Sequence, residues 1–161
     1  MNKPFSVFKC DICGSYIDAS DGMLEWLQKP TDESRDNPSA ECLESIHICC
    51  RRKPCNMVYD QRAIAEGLHE QWDHLDSFIG TDNIDEILTL PVNRTIPKEK
   101  HEEFLEILRR LMIPYYEEAR QYFSRAENDG LIESLRGFKA GHYVWKPDKL
   151  IEIIEEYSTA E

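Results

Sequence analysis

Cys10-Asp11-Ile12-Cys13-Gly14 and Cys49-Cys50-Arg51-Arg52-Lys53-Pro54-Cys55 carry five of the six cysteines of this 161-residue chain. Two thiolates spaced as Cys10 and Cys13 can reach one ion because the backbone between them turns back on itself. Gly14 permits that sharp turn. A lone CxxC also serves thioredoxin-like redox enzymes, which place it after a strand and before a helix. Here Gly14-Ser15-Tyr16-Ile17 and Asp21-Gly22 follow, which is turn and strand chemistry, so metal is the preferred reading. Cys55 supplies a third ligand at the start of a helix. Its partner is Cys50, four intervening residues away, or one of the alternates Cys49 and His47. Cys50 shares a strand face with Ile46 and Ile48, and Cys49 shares the other face with His47. The expected ligand set is therefore Cys10, Cys13, Cys50 and Cys55, with the alternates open. Thiolate sulfur favours zinc, and four protein ligands leave no position for substrate, so the ion would be structural. Cys42 reads as a buried bystander. Arg51-Arg52-Lys53 offsets the charge of a zinc tetrathiolate or sits solvated in its loop.

No cysteine follows Cys55, and this composition shift divides the chain. Upstream, Met23 to Leu27 and Leu43 to Cys50 read as strands, separated by a polar loop from Lys29 to Glu41 with two prolines. Downstream the period becomes helical. Met57, Ile64, Leu68 and Trp72 predict a helix over 56–73, and Ile84, Ile87 and Leu88 predict a short one after Thr81-Asp82. Pro91 and Pro97 bracket the next break. Phe104, Leu105, Leu108, Leu111 and Met112 predict a helix over 98–112. Pro114 opens another, with Tyr115, Ala119, Tyr122, Phe123 and Ala126 as its stripe and Gly130 past its end. A hairpin over 131–135 and 142–146 and a last helix from Pro147 to about Tyr157 complete the pattern.

The formal charge is -12, from 19 basic and 31 acidic residues. Such acidity weighs against a nucleic-acid binder that uses its whole surface. No apolar run is long enough to span a bilayer, and no signal peptide is legible, so a soluble, cytoplasmic protein without membrane contact is expected. Cysteines in that setting point to metal rather than disulfides.

The CxxCG knuckle, the hairpin and the second ligand pair leading into a helix resemble a zinc ribbon or treble-clef finger over residues 5–72. The second knuckle departs from the usual CxxC, and 36 residues separate Cys13 from Cys50. From residue 98 onward, the order of helix, Pro-initiated helix, strand pair and helix resembles a winged-helix domain. The residues carrying it are Ile113-Pro114-Tyr115-Tyr116-Glu117-Glu118-Ala119-Arg120, Glu127-Asn128-Asp129-Gly130-Leu131-Ile132 and Gly141-His142-Tyr143-Val144-Trp145-Lys146-Pro147. The expected fold class is thus α+β: a zinc-ribbon-like β segment with its following helix (1–72), then a mostly helical, winged-helix-like segment (73–161).

In DNA-binding winged helices the second helix of the pair enters the major groove. Here 115–129 sets Glu117, Glu118, Glu127 and Asp129 against Arg120 and Arg125, which suits a polyanion poorly. The 135–147 hairpin carries Arg136, Lys139, Lys146 and His142 with no acid, so Arg136, Lys139 and Lys146 are the candidate nucleic-acid contacts. Catalysis is the weaker reading. His69 and His74 are not the i, i+4 pair of a zinc protease, and His101 sits on a charged helix face. His47 and Asn56 alone do not make the His-Asn-His set of treble-clef nucleases. The expectation is a non-enzymatic interaction or regulatory protein that binds a protein partner. A DNA-binding regulator using the hairpin is the alternative, and a nuclease-like enzyme ranks last.

Overall fold

The computed structural model describes residues 2–32, 41–93, 95–132 and 145–158. Two small antiparallel sheets and a set of helices make an α+β fold. Strands β1 (Val7–Lys9) and β2 (Tyr16–Asp18) pair across the Cys10–Gly14 turn, with Phe8 opposite Ile17. The second sheet has the order β4-β3-β5, formed by β3 (Gly22–Lys29), β4 (Cys42–Cys50) and β5 (His69–His74).

β3 is central, and seven of its eight residues are buried, which is why it reads as a nearly continuous apolar run. The register sets Glu25 opposite His47 on one side and Trp72 on the other. Leu24, Trp26, Ile46 and Ile48 join the larger apolar cluster with Phe8, Leu75, Phe78, Ile87, Phe104, Ile107 and Leu111. The last six come from the segment after β5, from α2 (Ile84–Asn93) and from α3 (His101–Met112). On the other face, Leu27 packs with Tyr59 and Ala63 of α1 (Val58–Glu66).

The helix expected over 56–73 is corrected. After a 3-10 turn at Cys55–Met57, α1 stops at Glu66 because Gly67 takes the left-handed conformation, φ 67°, and caps the helix through Ala63. His69–His74 then adds an edge strand to β3. Leu68 and Trp72 imitate a helical step, but they lie beyond that cap. Ile64, expected on the buried stripe, is 78% exposed. Pro91 also differs from expectation: it sits inside the last turn of α2 rather than beyond it.

The Pro-initiated helix is a broken one: α4 (Tyr116–Ala119), a 3-10 turn and α5 (Phe123–Asn128). Tyr115 itself is left-handed, φ 66°, so Tyr116 takes the fully buried place in the stripe. With α6 (Pro147–Ser158), these segments build a second cluster from Tyr116, Ala119, Phe123, Ala126, Ile132, Leu150, Ile153, Ile154 and Tyr157. Of the hairpin expected over 131–135 and 142–146, residues 133–144 lie outside the described residues, and 131–132 and 145–146 are bend and turn. No helix among the described residues is long and apolar enough to cross a membrane.

Candidate metal centre

The first knuckle is a hydrogen-bonded turn. Gly14 N–H donates to the Cys10 carbonyl at 2.9 Å, and Cys10 N–H donates to the Ser15 carbonyl at 2.9 Å. Gly14 adopts φ 72°, the conformation its lack of a Cβ permits. The turn docks on the outer edge of β4: Asp11 N–H donates to the Ile48 carbonyl at 2.8 Å, and Ile48 N–H returns a bond to Asp11 Oδ2 at 2.8 Å. This docking brings Cys10 to the end of β4, where Cys50 N–H donates to Cys10 Sγ at 3.4 Å. Cys55 enters from the 3-10 turn that leads into α1.

The four sulfurs of Cys10, Cys13, Cys50 and Cys55 lie within 4.8 Å of one another. Sulfurs on one tetrahedral zinc stand about 3.8 Å apart, given bonds of about 2.3 Å. The donor set and its spacing therefore fit a metal ion. Cys10, Cys50 and Cys55 are buried and Cys13 is exposed, so the cluster opens to solvent on one side. Hydrogen bonds from Ser15 bring the Cys13 thiol down to about 6, so it is largely a thiolate at neutral pH. Burial pushes Cys10 and Cys55 the other way, and without an ion they keep their protons. A metal is what makes four thiolates in this place tolerable.

The structure separates the two consecutive cysteines. Cys50 joins the sulfur cluster, whereas Cys49 and His47, the alternates, point to the opposite side of β4 and group with Glu25. Cys42 is partly buried and belongs to neither group. Arg51, Arg52 and Lys53 are exposed in the loop between Cys50 and Cys55. Of the hairpin cations, Arg136 and Lys139 lie outside the described residues and Lys146 is exposed. His69 sits on β5 with Nδ1 2.7 Å from Glu41, and His101 Nε2 lies 3.1 Å from the Ile96 carbonyl.

Sequence reasoning missed what holds the knuckle from behind. Arg110 of α3 is 2% exposed and reaches five acceptor atoms on three residues. Its Nη1 meets both Asp11 carboxylate oxygens at 2.8 Å, and its Nη2 donates to the Lys9 carbonyl at 2.8 Å. Its Nε and Nη2 also clasp Glu117 of α4, at 2.7 and 3.0 Å. Glu117 in turn accepts from Lys9 N–H at 2.8 Å. Burial opposes charge on Arg110, but Glu117 and Asp11 outweigh it and raise its pKa above the ordinary value. A planar fork with five donors suits this task, and a lysine ammonium would match it only in part. The only sequence signal was an arginine facing inward on α3, and its partner Asp11 lies 99 positions away.

Comparison with family profiles, curated proteins and solved structures finds no match to this chain.

Proposed function

We propose that the chain is a zinc-stabilised, non-enzymatic interaction protein that binds a protein partner in the cytoplasm. The observation that carries the metal part is the convergence of four cysteine sulfurs from three separate segments within 4.8 Å. Four sulfur donors close the coordination sphere, which suits a structural ion and leaves no site for substrate. The order of knuckle, hairpin, second ligand pair and helix supports a zinc-ribbon or treble-clef-like reading of residues 1–72. The helical order from α3 to α6 supports a winged-helix-like reading within residues 73–161. The partner part rests on the edge strand β5, which carries Trp72 at 52% exposure beside the open side of the sheet. Tryptophan is among the residue types enriched at the energetic centres of protein interfaces. The DNA-binding alternative rests on the sequence of the 135–147 hairpin alone.

Elemental analysis of the purified chain tests the metal. Zinc is expected, released by Cys10→Ala or Cys55→Ala and retained in Cys42→Ala. A well-folded, metal-free protein with free thiols at Cys10, Cys13, Cys50 and Cys55 would sink the reading. Capture of partners from the native host with wild type and Trp72→Ala tests the rest. Loss of a wild-type partner in the variant supports the edge-strand surface, and equal capture removes it.

A further inference from the structure

The side of the sheet turned toward α1 contains a group that packing does not explain. Glu25 sits mid-strand in β3 at 0% exposure, between Leu24 and Trp26. Opposite it on β4 stands His47 at 6%, and Cys49 at 0%, opposite Met23, is its diagonal neighbour on the same face. One donor atom from each of the three lies within 4.8 Å of the others. Glu25 Oε2 meets His47 Nε2 at 2.8 Å, but Glu25 Oε1 is buried with no hydrogen-bond partner among the described residues. An unpaired buried polar atom costs about 1–3 kcal/mol, and more when charged, so native folds seldom keep one without a use.

We propose that Glu25, His47 and Cys49 form a second site for a divalent transition-metal ion, distinct from the four-cysteine cluster. The donors are one sulfur, one imidazole nitrogen and one carboxylate oxygen, a set that zinc accepts and that magnesium or calcium does not favour. The charges balance: a thiolate and a carboxylate neutralise the ion, and the imidazole enters neutral. Binding forms three bonds to the metal and releases the Cys49 thiol proton to solvent. It also gives the Glu25 carboxylate a cation to face. His47 is held for the role, because its ring stacks on Tyr59 of α1 with centroids 3.7 Å apart. Tyr59 is itself tied by its hydroxyl to Ser45 on β4. Two ligands with metal bonds of about 2.0–2.1 Å stand about 3.3 Å apart on a tetrahedral ion. Glu25 and His47 must therefore separate by roughly half an ångström, which a small side-chain rotation provides. Three protein donors leave the fourth position to water or another small ligand, unlike the closed sulfur cluster.

Strand alternation explains how two sites coexist so closely. Cys49 and Cys50 are consecutive, so their side chains leave β4 on opposite faces and each serves one group. This proposal does not depend on the four-cysteine site, and one experiment separates them. The full chain is saturated with zinc, freed of unbound ion, and its metal content measured for wild type, Cys13→Ser, His47→Gln and Glu25→Gln. Glu25→Gln preserves volume, so it stays informative if His47→Gln folds poorly, and circular dichroism reports folding for each. About two ions per chain are expected in wild type, falling to about one in each variant. Cobalt substitution should then show thiolate-to-metal bands of lower intensity in Cys13→Ser than in His47→Gln, since one sulfur replaces four. One ion that survives His47→Gln and Glu25→Gln but is lost in Cys13→Ser overturns the proposal, leaving Glu25 and His47 as a hydrogen-bonded pair. One ion with the reverse pattern supports it and sinks the four-cysteine site. No ion in any protein overturns both.

Discussion

The C-terminal helices and the cysteine-bearing hairpin are held together by different means. In the former, Ala119, Ala126, Leu150 and Ile153 reach 0% exposure and are packed by Tyr116, Phe123, Ile154 and Tyr157. Aliphatic and aromatic contact is enough there, at roughly 1.5–3 kcal/mol for each large side chain fully removed from water. The β1–β2 hairpin has three-residue strands, and each buries only its middle residue, Phe8 or Ile17. So little apolar surface cannot offset the entropy of ordering a two-stranded ribbon. Sulfur clustering on one side and Arg110 on the other take over. Where a segment is too short to bury a core, bonds of fixed geometry replace area.

Arg110→Ala is the sharpest way to break that contrast. It leaves Asp11 and Glu117 without their shared cation, and Glu117 is itself buried. Removing one partner of a buried ion pair costs about 3–5 kcal/mol. Urea unfolding should show a loss of that size, with Arg110→Lys recovering only part of it because an ammonium lacks the planar fork. A loss below about 1 kcal/mol, the scale of exposed pairs such as Arg62–Glu66, would mean the knuckle does not need this support.

Leu150→Ala probes the other region. Leu150 is fully buried in the helical cluster, and truncating such a leucine costs about 2–5 kcal/mol through lost contact and a residual cavity. Metal content should not change, since no residue of the sulfur cluster touches that core. Zinc loss in Leu150→Ala would show that the two regions fold as one cooperative unit.

How much of this was legible beforehand divides along physical lines. The knuckle and the strands Gly22–Lys29 and Cys42–Cys50 follow from local signals: a CxxCG turn and apolar runs of strand length. α3 and α6 follow from strong amphipathic periods. The strand at His69–His74 was hidden because an edge strand half open to water has no need of alternating apolar residues, and its burial pattern shows none. Gly67 was the available stop signal, and the helical step from Leu68 to Trp72 overrode it. Glu25 looked like one acid in an apolar run, and its meaning lies in His47 and Cys49, more than 20 positions away. Arg110 was concealed for the same reason. Tertiary pairing across long separations leaves no local trace.

The smallest expected effect compares the same chemistry in both regions. Tyr59 lies beneath the sheet and Tyr116 in the helical cluster, and burial raises both phenols well above their ordinary value of 10.0. For Tyr116, the Glu106 carboxylate adds to the rise, accepting its hydroxyl bond at 2.6 Å. In the fold each phenol is held neutral, whereas in the unfolded chain each ionises near pH 10. The unfolded state therefore binds fewer protons above that point, and stability falls as pH rises. Below about pH 10 the contribution is fully present. Above it, each phenol removes about 1.4 kcal/mol per pH unit until its folded-state value is passed. Alkaline titration followed by phenolate absorbance should show Tyr59 and Tyr116 ionising only together with unfolding. Replacing Tyr116 by Phe should flatten the slope above pH 10 by one group's share. If both buried phenols ionise reversibly near pH 10 in a folded chain, water reaches both regions, and the helical cluster is no drier than the sheet.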